Sequence, residues 1–275
     1  MQNIRLLGLD LDGTVFDDQK NISPRNLAAM AAAIDRGVVV VPATGRPANG
    51  VPEEFLHMPG VRYALTSNGA TVTELATGNR LVELTFTQEE ALATYDVVSQ
   101  FESVVDLFVD GYSYTSSKTI DLLEKFSPPE LRPYLRKSRT VVDDMRGVIW
   151  AHPHGVEKFS ILYGDPAVRQ QAWAITAAQC PVVATASFIN NMELNAPGVD
   201  KGRGIMALAG VLSIPREQVM ACGDSGNDVA MLKAVGLGVA MGNATPEAKA
   251  AADALTLDNQ HDGVAEAIER YILHK

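Results

Sequence analysis

The sequence predicts an α/β fold: a parallel sheet flanked by helices, with an α+β domain inserted into it. Three observations predict it. The first third alternates short β-branched runs with helix-like runs, the last third repeats that style, and the middle mixes strands and helices without it. A chain of 275 residues also suits two domains better than one minimal core.

The elements follow in order. Ile4 to Leu9 is a short apolar run, as a strand covered on both faces requires. Ser23-Pro24 reads as a helix N-cap followed by proline at the first helical position, and the Ala-rich run to Arg36 stops at Gly37. Val38 to Val41 is a second strand, and Tyr63 to Thr66 a third. Sequential strands separated by helices imply parallel pairing through right-handed crossovers. In the last third, a helix from Gly202 to Ala209 precedes a strand at Val219 to Cys222. A helix at Val229 to Ala234, a strand at Gly238 to Ala240 and a final helix at Val264 to Leu273 complete it. Between them lie helices at Gln88 to Phe101 and Pro166 to Gln179, and strands at Val105 to Val109, Val156 to Leu162 and Val182 to Ala186. The predicted core is therefore discontinuous, residues 1–84 and 192–275, with residues 85–191 as the insert.

Composition narrows the function classes. The net charge is −10 and the pI about 5.0, so nucleic-acid backbone and anionic membrane are repelled rather than gathered. An anionic substrate would need a local positive site. No run of about 18 apolar residues occurs, and the N-terminal apolar stretch is broken by Arg5, Asp10 and Asp12, unlike a signal peptide. Cys180 and Cys222 are far apart and lack metal-ligand spacing, so they read as small buried hydrophobes in a reducing cytoplasm.

Four segments carry chemistry. Asp10-Leu11-Asp12-Gly13-Thr14 follows the first strand, where open α/β sheets bind ligands. Two carboxylates at such a tip fit a nucleophile and an acid/base partner near a metal, or simply an acidic turn. Thr44-Gly45 after the second strand offers a hydroxyl and backbone N–H groups to a phosphate oxygen, or closes a plain turn. Lys201 stands at a helix start, where the dipole disfavours a cation unless it faces a bound anion; the alternative is a solvated surface lysine. Gly223-Asp224-Ser225-Gly226-Asn227-Asp228 supplies hard oxygen ligands of the kind Mg²⁺ takes, or an Asx turn capping the next helix.

Taken together and in this order, the four segments resemble the haloacid dehalogenase superfamily of phosphotransferases, and more narrowly its Cof-type sugar phosphatases with a class IIB cap. Thr66-Ser67-Asn68-Gly69-Ala70, Ala240-Met241-Gly242-Asn243-Ala244 and Asp262-Gly263-Val264-Ala265 extend the resemblance over essentially the whole chain. It implies a Rossmann-like core, a substrate-reading cap and a Mg²⁺-dependent phosphatase acting on a small phosphorylated metabolite, with a sugar phosphate the leading class. Asp10 would be the nucleophile, and Asp12 the group that protonates the leaving oxygen and then activates water. Mg²⁺ would be held by the Asp10 carboxylate, the Asp12 backbone carbonyl, Asp224 and Asp228, the last directly or through water. Thr44, Gly45 and Lys201 would bind phosphoryl oxygens. Asn227 would contact phosphate or orient Lys201, with Asn68 also lining the site.

Two competing functions share these residues. A phosphomutase would return the phosphoryl group to a sugar. A non-catalytic phosphate- or Mg²⁺-binding module would keep the fold without turnover, but Asp12 is a base such a module has no use for. Leaving-group selection is expected from Phe188 to Glu193 and the loop near Gly111 to Tyr114, with packing the simpler role for each. His152 and His154 read as solvated loop histidines, and Met206, Met220, Met231 and Met241 as core filler. The oligomeric state is not encoded in any visible pattern.

Overall fold

A computed structural model describes residues 3–152, 155–187 and 189–275. His154 and Phe188, both singled out above, lie outside the described residues. Inter-residue contacts divide the chain into two units. The first comprises the stretch ending at Gly45, Val51–Glu83 and Asp200–Lys275; the second comprises Arg46–Gly50 and Leu84–Val199.

In the first unit, five strands form a parallel sheet in the order Ala254–Leu255, Leu237–Ala240, Val219–Gly223, Leu6–Leu9, Val39–Pro42. Both faces of the sheet are covered, which explains the unbroken apolar runs. Leu7, Leu9, Val40, Met220, Cys222 and Val239 join one apolar cluster; their strand neighbours Leu6, Val39, Val41, Val219 and Ala221 join the other. Connections leave the central Leu6–Leu9 strand towards Val39–Pro42 on one side, and return through Val219–Gly223 on the other. The two adjacent central strands therefore mark a topological switch point, where strand tips open a crevice.

The predicted α1-type helix forms at Pro24–Asp35, and the Ser23 hydroxyl accepts from the Asn26 N–H as its cap. Tyr63–Thr66 departs from expectation. It heads a separate antiparallel sheet with Thr71–Glu74 and Arg80–Glu83, and touches the parallel sheet by one bridge, Ala43 to Leu65. The Ser67–Gly69 turn explains this: Ser67 and Asn68 take left-handed dihedrals, which double the chain back at once instead of feeding a crossover helix. The last helix is shorter than predicted, Gly263–Ile268, and relaxes into a π-turn at Glu269–Leu273.

The second unit carries a six-stranded sheet in the order Val183–Thr185, Asn191–Asn195, Val156–Tyr163, Ser103–Val109, Tyr112–Ser116, Arg139–Val142. It extends past residue 191 because Asn191–Asn195 pairs along Val156–Tyr163. Two ion pairs are buried on it: Arg139 with Asp106 at 2.7 Å and Lys158 with Glu193 at 3.2 Å. His152 lies outside any helix or strand, as expected, but is half-buried rather than solvated: its side chain is 25% exposed and pairs with Asp110 at 2.7 Å. No helix among the described residues is long and apolar enough to cross a membrane.

Candidate active site

The first acidic segment begins where the Leu6–Leu9 strand ends. Asp10 stays in register with the neighbouring strand, donating its N–H to the Cys222 carbonyl at 3.1 Å, and its side chain is buried. Gly13 has φ +83°, and a Cβ there would lie 2.5 Å from Asp224 Oδ2. Glycine at this turn is what lets the first acidic segment lie against the last one. The turn is latched twice more: Thr14 Oγ1 donates to Asp224 Oδ1 at 3.1 Å, and Asn243 Nδ2 donates to the Gly13 carbonyl at 2.8 Å.

Lys201 is the first residue of the helix Lys201–Val211, which Asp200 caps by accepting from the Arg203 N–H. The helix packs closely enough to aim this lysine inward because Gly204 sits against Gly69; a Cβ on it would be 2.8 Å from the Gly69 Cα. Lys201 is fully buried, and its Nζ donates to Asp10 Oδ1 at 2.6 Å and to Asp228 Oδ1 at 2.7 Å. A solvated surface lysine is excluded. Burial opposes its charge, but the Asp10 and Asp228 carboxylates outweigh that cost and raise its pKa, so the ammonium stays protonated.

Beyond the Val219–Gly223 strand, Asp228 Oδ2 accepts from the N–H groups of Asp224 and Ser225 at 2.9 and 3.0 Å. This local loop of bonds fixes the fourth segment as a rigid turn. Ser225 Oγ donates to Asn227 Oδ1 at 2.7 Å, and Asn227 Nδ2 donates to Asn68 Oδ1 at 3.1 Å. Thr44 is buried at the tip of the Val39–Pro42 strand, and its carbonyl accepts from the Asn68 N–H at 3.1 Å. Gly45 follows it, half-buried. The Asp12 carboxylate is 36% exposed and pairs with Lys20 at 2.9 Å.

Asp10, Asp224 and Asp228 place one ligand oxygen each within 4.8 Å of one another. Three carboxylates meet one ammonium, so the cluster has surplus negative charge. Its titration registers the strain. Burial, then Asp228 and Asp224, push Asp10 well above the usual carboxylate range against the pull of Lys201. Burial and Asp228 push Asp224 up to about 7. Burial and the nearby Asp228 likewise raise the Cys222 thiol to about 12, leaving it an inert neutral group behind the site. An all-oxygen set with surplus negative charge is what a hard divalent cation fits.

The structure thus brings Asp10, Lys201, Asp224 and Asp228 into direct mutual contact range, with Asn227 bonded to Asn68, whose N–H bonds the Thr44 carbonyl. Thr14 and Asn243 were given no role by the sequence reading. Both lie in segments it had singled out, but neither side chain has a chemistry that names its partner in advance.

A family model for haloacid dehalogenase-like hydrolases matches residues 7–268. The chain is 30% identical over 271 residues to a 5-amino-6-(5-phospho-D-ribitylamino)uracil phosphatase of Bacillus subtilis, covering 98% of this chain and 97% of that one. It is 24% identical to a pyridoxal phosphate phosphatase of Escherichia coli, covering 98% and 99%. A solved haloacid dehalogenase-like hydrolase from Bacteroides thetaiotaomicron superposes with a TM-score of 0.81 at 29% identity, covering 98% and 99%.

Proposed function

The chain belongs to the haloacid dehalogenase-like hydrolases, and from that premise we propose that it is a phosphatase that moves the phosphoryl group of a small metabolite first to Asp10 and then to water. One observation supports this above the others: Lys201, buried and protonated, is bonded to both Asp10 and Asp228 at the meeting point of the strand tips.

The reaction begins with a repulsion. A carboxylate about 4 Å from a phosphoryl charge is opposed by roughly 4 kcal/mol at an effective dielectric of 20. Lys201 offsets part of this and orients the Asp10 carboxylate by holding its Oδ1. The Thr44 hydroxyl and the Gly45 N–H receive phosphoryl oxygens and stabilise the charge that spreads over them in the transition state. Asn227, held by Ser225 and Asn68, would add a further donor to the phosphate. Mg²⁺ is the ion we assign to the carboxylate cluster; when bound it neutralises charge on the phosphoryl group. Asp10, the Asp12 carbonyl, Asp224 and Asp228 would hold it.

Asp12 is the proton carrier. An Asp10 oxygen bonds to phosphorus as the ester oxygen leaves, and that oxygen takes the Asp12 proton. The resulting Asp12 carboxylate then removes a proton from the water that attacks phosphorus and frees Asp10. Its partial exposure beside Lys20 suits a group that must meet both leaving group and solvent.

The substrate we assign is a sugar or polyol phosphate, the class to which the ribitylaminouracil phosphate of the B. subtilis relative is nearest. The pyridoxal phosphate of the E. coli relative keeps cofactor phosphates in the panel to be tested. Leaving-group selection is assigned to the inserted unit. Unpaired, buried Cys180 and Cys222 accord with a reducing compartment, and we place the enzyme in the cytoplasm. The test is phosphate release from a panel of phosphorylated metabolites, with Mg²⁺ and with a chelator, for the native protein and Asp10→Asn. Activity needs Mg²⁺ and vanishes in Asp10→Asn; full activity in that variant contradicts the covalent route.

A further inference from the structure

A hairpin of the first unit returns to the acidic turn that opens the site. The Asp12 carboxylate Oδ1 accepts from Lys20 Nζ at 2.9 Å across eight positions of chain. Phe16 bridges Asp12 on one side and Ile22 on the other, and both apolar side chains are buried in a core cluster. At the hairpin tip the Lys20 N–H donates to the Asp17 carbonyl at 3.0 Å, and Asp17 Oδ1 accepts from the Asn21 N–H at 2.8 Å. Turn and hairpin hang on one pair of amides. Asn243 Nδ2 donates to the Gly13 carbonyl at 2.8 Å, Asn243 Oδ1 accepts from the Asn259 N–H at 3.1 Å, and Asn259 Nδ2 donates to the Phe16 carbonyl at 3.0 Å. Asp12 and Lys20 are thus carried by a single hydrogen-bonded frame, all of it within the first unit.

Stability does not account for a lysine at this tip. Lys20 has φ +65°, in the left-handed region. Glycine takes that conformation without strain and asparagine with little, whereas lysine is strained in it. The Lys20–Asp12 pair is part-exposed on both sides, and an ion pair so exposed returns less than the strain takes away. An outlier held in place beside reactive groups points to a task for the side chain it carries.

We infer that Lys20 is a positioning residue for proton transfer: from the hairpin tip its ammonium fixes the Asp12 carboxyl group in the orientation that meets the leaving oxygen. The inference rests on the proposed reading of Asp12 as the proton carrier. In that step the bond between phosphorus and the ester oxygen breaks, the Asp12 proton passes to that oxygen, and Asp12 is left as the carboxylate that Lys20 holds. Lys20 exchanges no proton with the ester. Its effect therefore grows with the leaving oxygen's need for a proton. A p-nitrophenolate departs as a stable anion, whereas a phenolate departs more readily when protonated.

The test compares phenyl phosphate with p-nitrophenyl phosphate, in the presence of Mg²⁺, for native protein, Lys20→Gly and Asp12→Asn. The quantity read is kcat/KM, which reports the steps up to ester cleavage. Glycine keeps the left-handed turn, so Lys20→Gly is expected to melt no lower than native protein. Its kcat/KM is expected to fall about 10- to 100-fold on phenyl phosphate and no more than about threefold on p-nitrophenyl phosphate. Lys20→Asn, which also tolerates the turn, is expected to show the same contrast and carries the test if Lys20→Gly does not fold. Equal losses on the two esters, or losses below about twofold on both, refute the inference. Asp12→Asn separates the failures. Native activity of that variant on phenyl phosphate overturns the reading of Asp12 itself; an impaired Asp12→Asn beside an indifferent Lys20 variant overturns the positioning role alone.

Discussion

Lys201 is the residue on which the charge balance of the site turns. Bonded to Asp10 and Asp228 inside the protein, it cannot be removed without leaving buried carboxylates uncompensated. Lys201→Met is expected to destabilise the metal-free fold by about 3–5 kcal/mol. Urea unfolding followed by circular dichroism checks this. Asp224 makes the complementary prediction. Its pKa is raised to about 7 by burial and Asp228, so the folded state binds this proton more tightly than the unfolded chain does. The stability it contributes is full below the ordinary carboxylate pKa of about 3.9 and is lost as pH rises towards 7. The metal-free native protein is therefore expected to lose stability over that window relative to Asp224→Asn. Divalent-cation affinity is expected to rise over the same window, because the ion competes with the proton. Melting curves of both proteins from pH 4.5 to 8 (a range set by that window), with a chelator and with Mg²⁺, read both effects. Parallel pH profiles for the two proteins would show that Asp224 does not carry the strain.

At the scale of elements, the site depends on close approach between segments far apart in the chain. Gly204 lets the Lys201–Val211 helix sit on the Ser67–Gly69 turn. Gly204→Val is expected to cost roughly 1–3 kcal/mol by overpacking, and more in activity than in stability, because the displaced helix carries Lys201. Thermal melts set beside kcat for the variant separate the two losses. The strand tips were legible in the sequence, since each apolar run ends in a glycine-rich polar segment whose chemistry names itself. The long-range geometry was not. Tyr63–Thr66 reads as another parallel strand, and only the left-handed dihedrals of Ser67 and Asn68 turn it into a hairpin. No strand is expected at Asn191–Asn195, yet it pairs along Val156–Tyr163, where Asn191 and Ser187 both bond Glu193. The segment Arg46–Gly50 has no sequence signal at all for its attachment to the second unit.

For the whole molecule, the proposed function reconciles a surplus of acidic residues with an anionic substrate by concentrating one ammonium and three carboxylates able to take a cation at a single point. The sheet beneath is covered on both faces, so the tips cannot be rearranged without disturbing two apolar clusters. The transient bond between Asp10 and phosphorus is the claim to which the lysine, the carboxylates and the phosphate loop all refer. Acid quenching during turnover of a ³²P-labelled sugar phosphate, followed by peptide mapping, observes it directly. Label is expected on the peptide containing Asp10 and absent in Asp10→Asn. Label on a different residue, or undiminished turnover by Asp10→Asn with no labelled peptide, would contradict it.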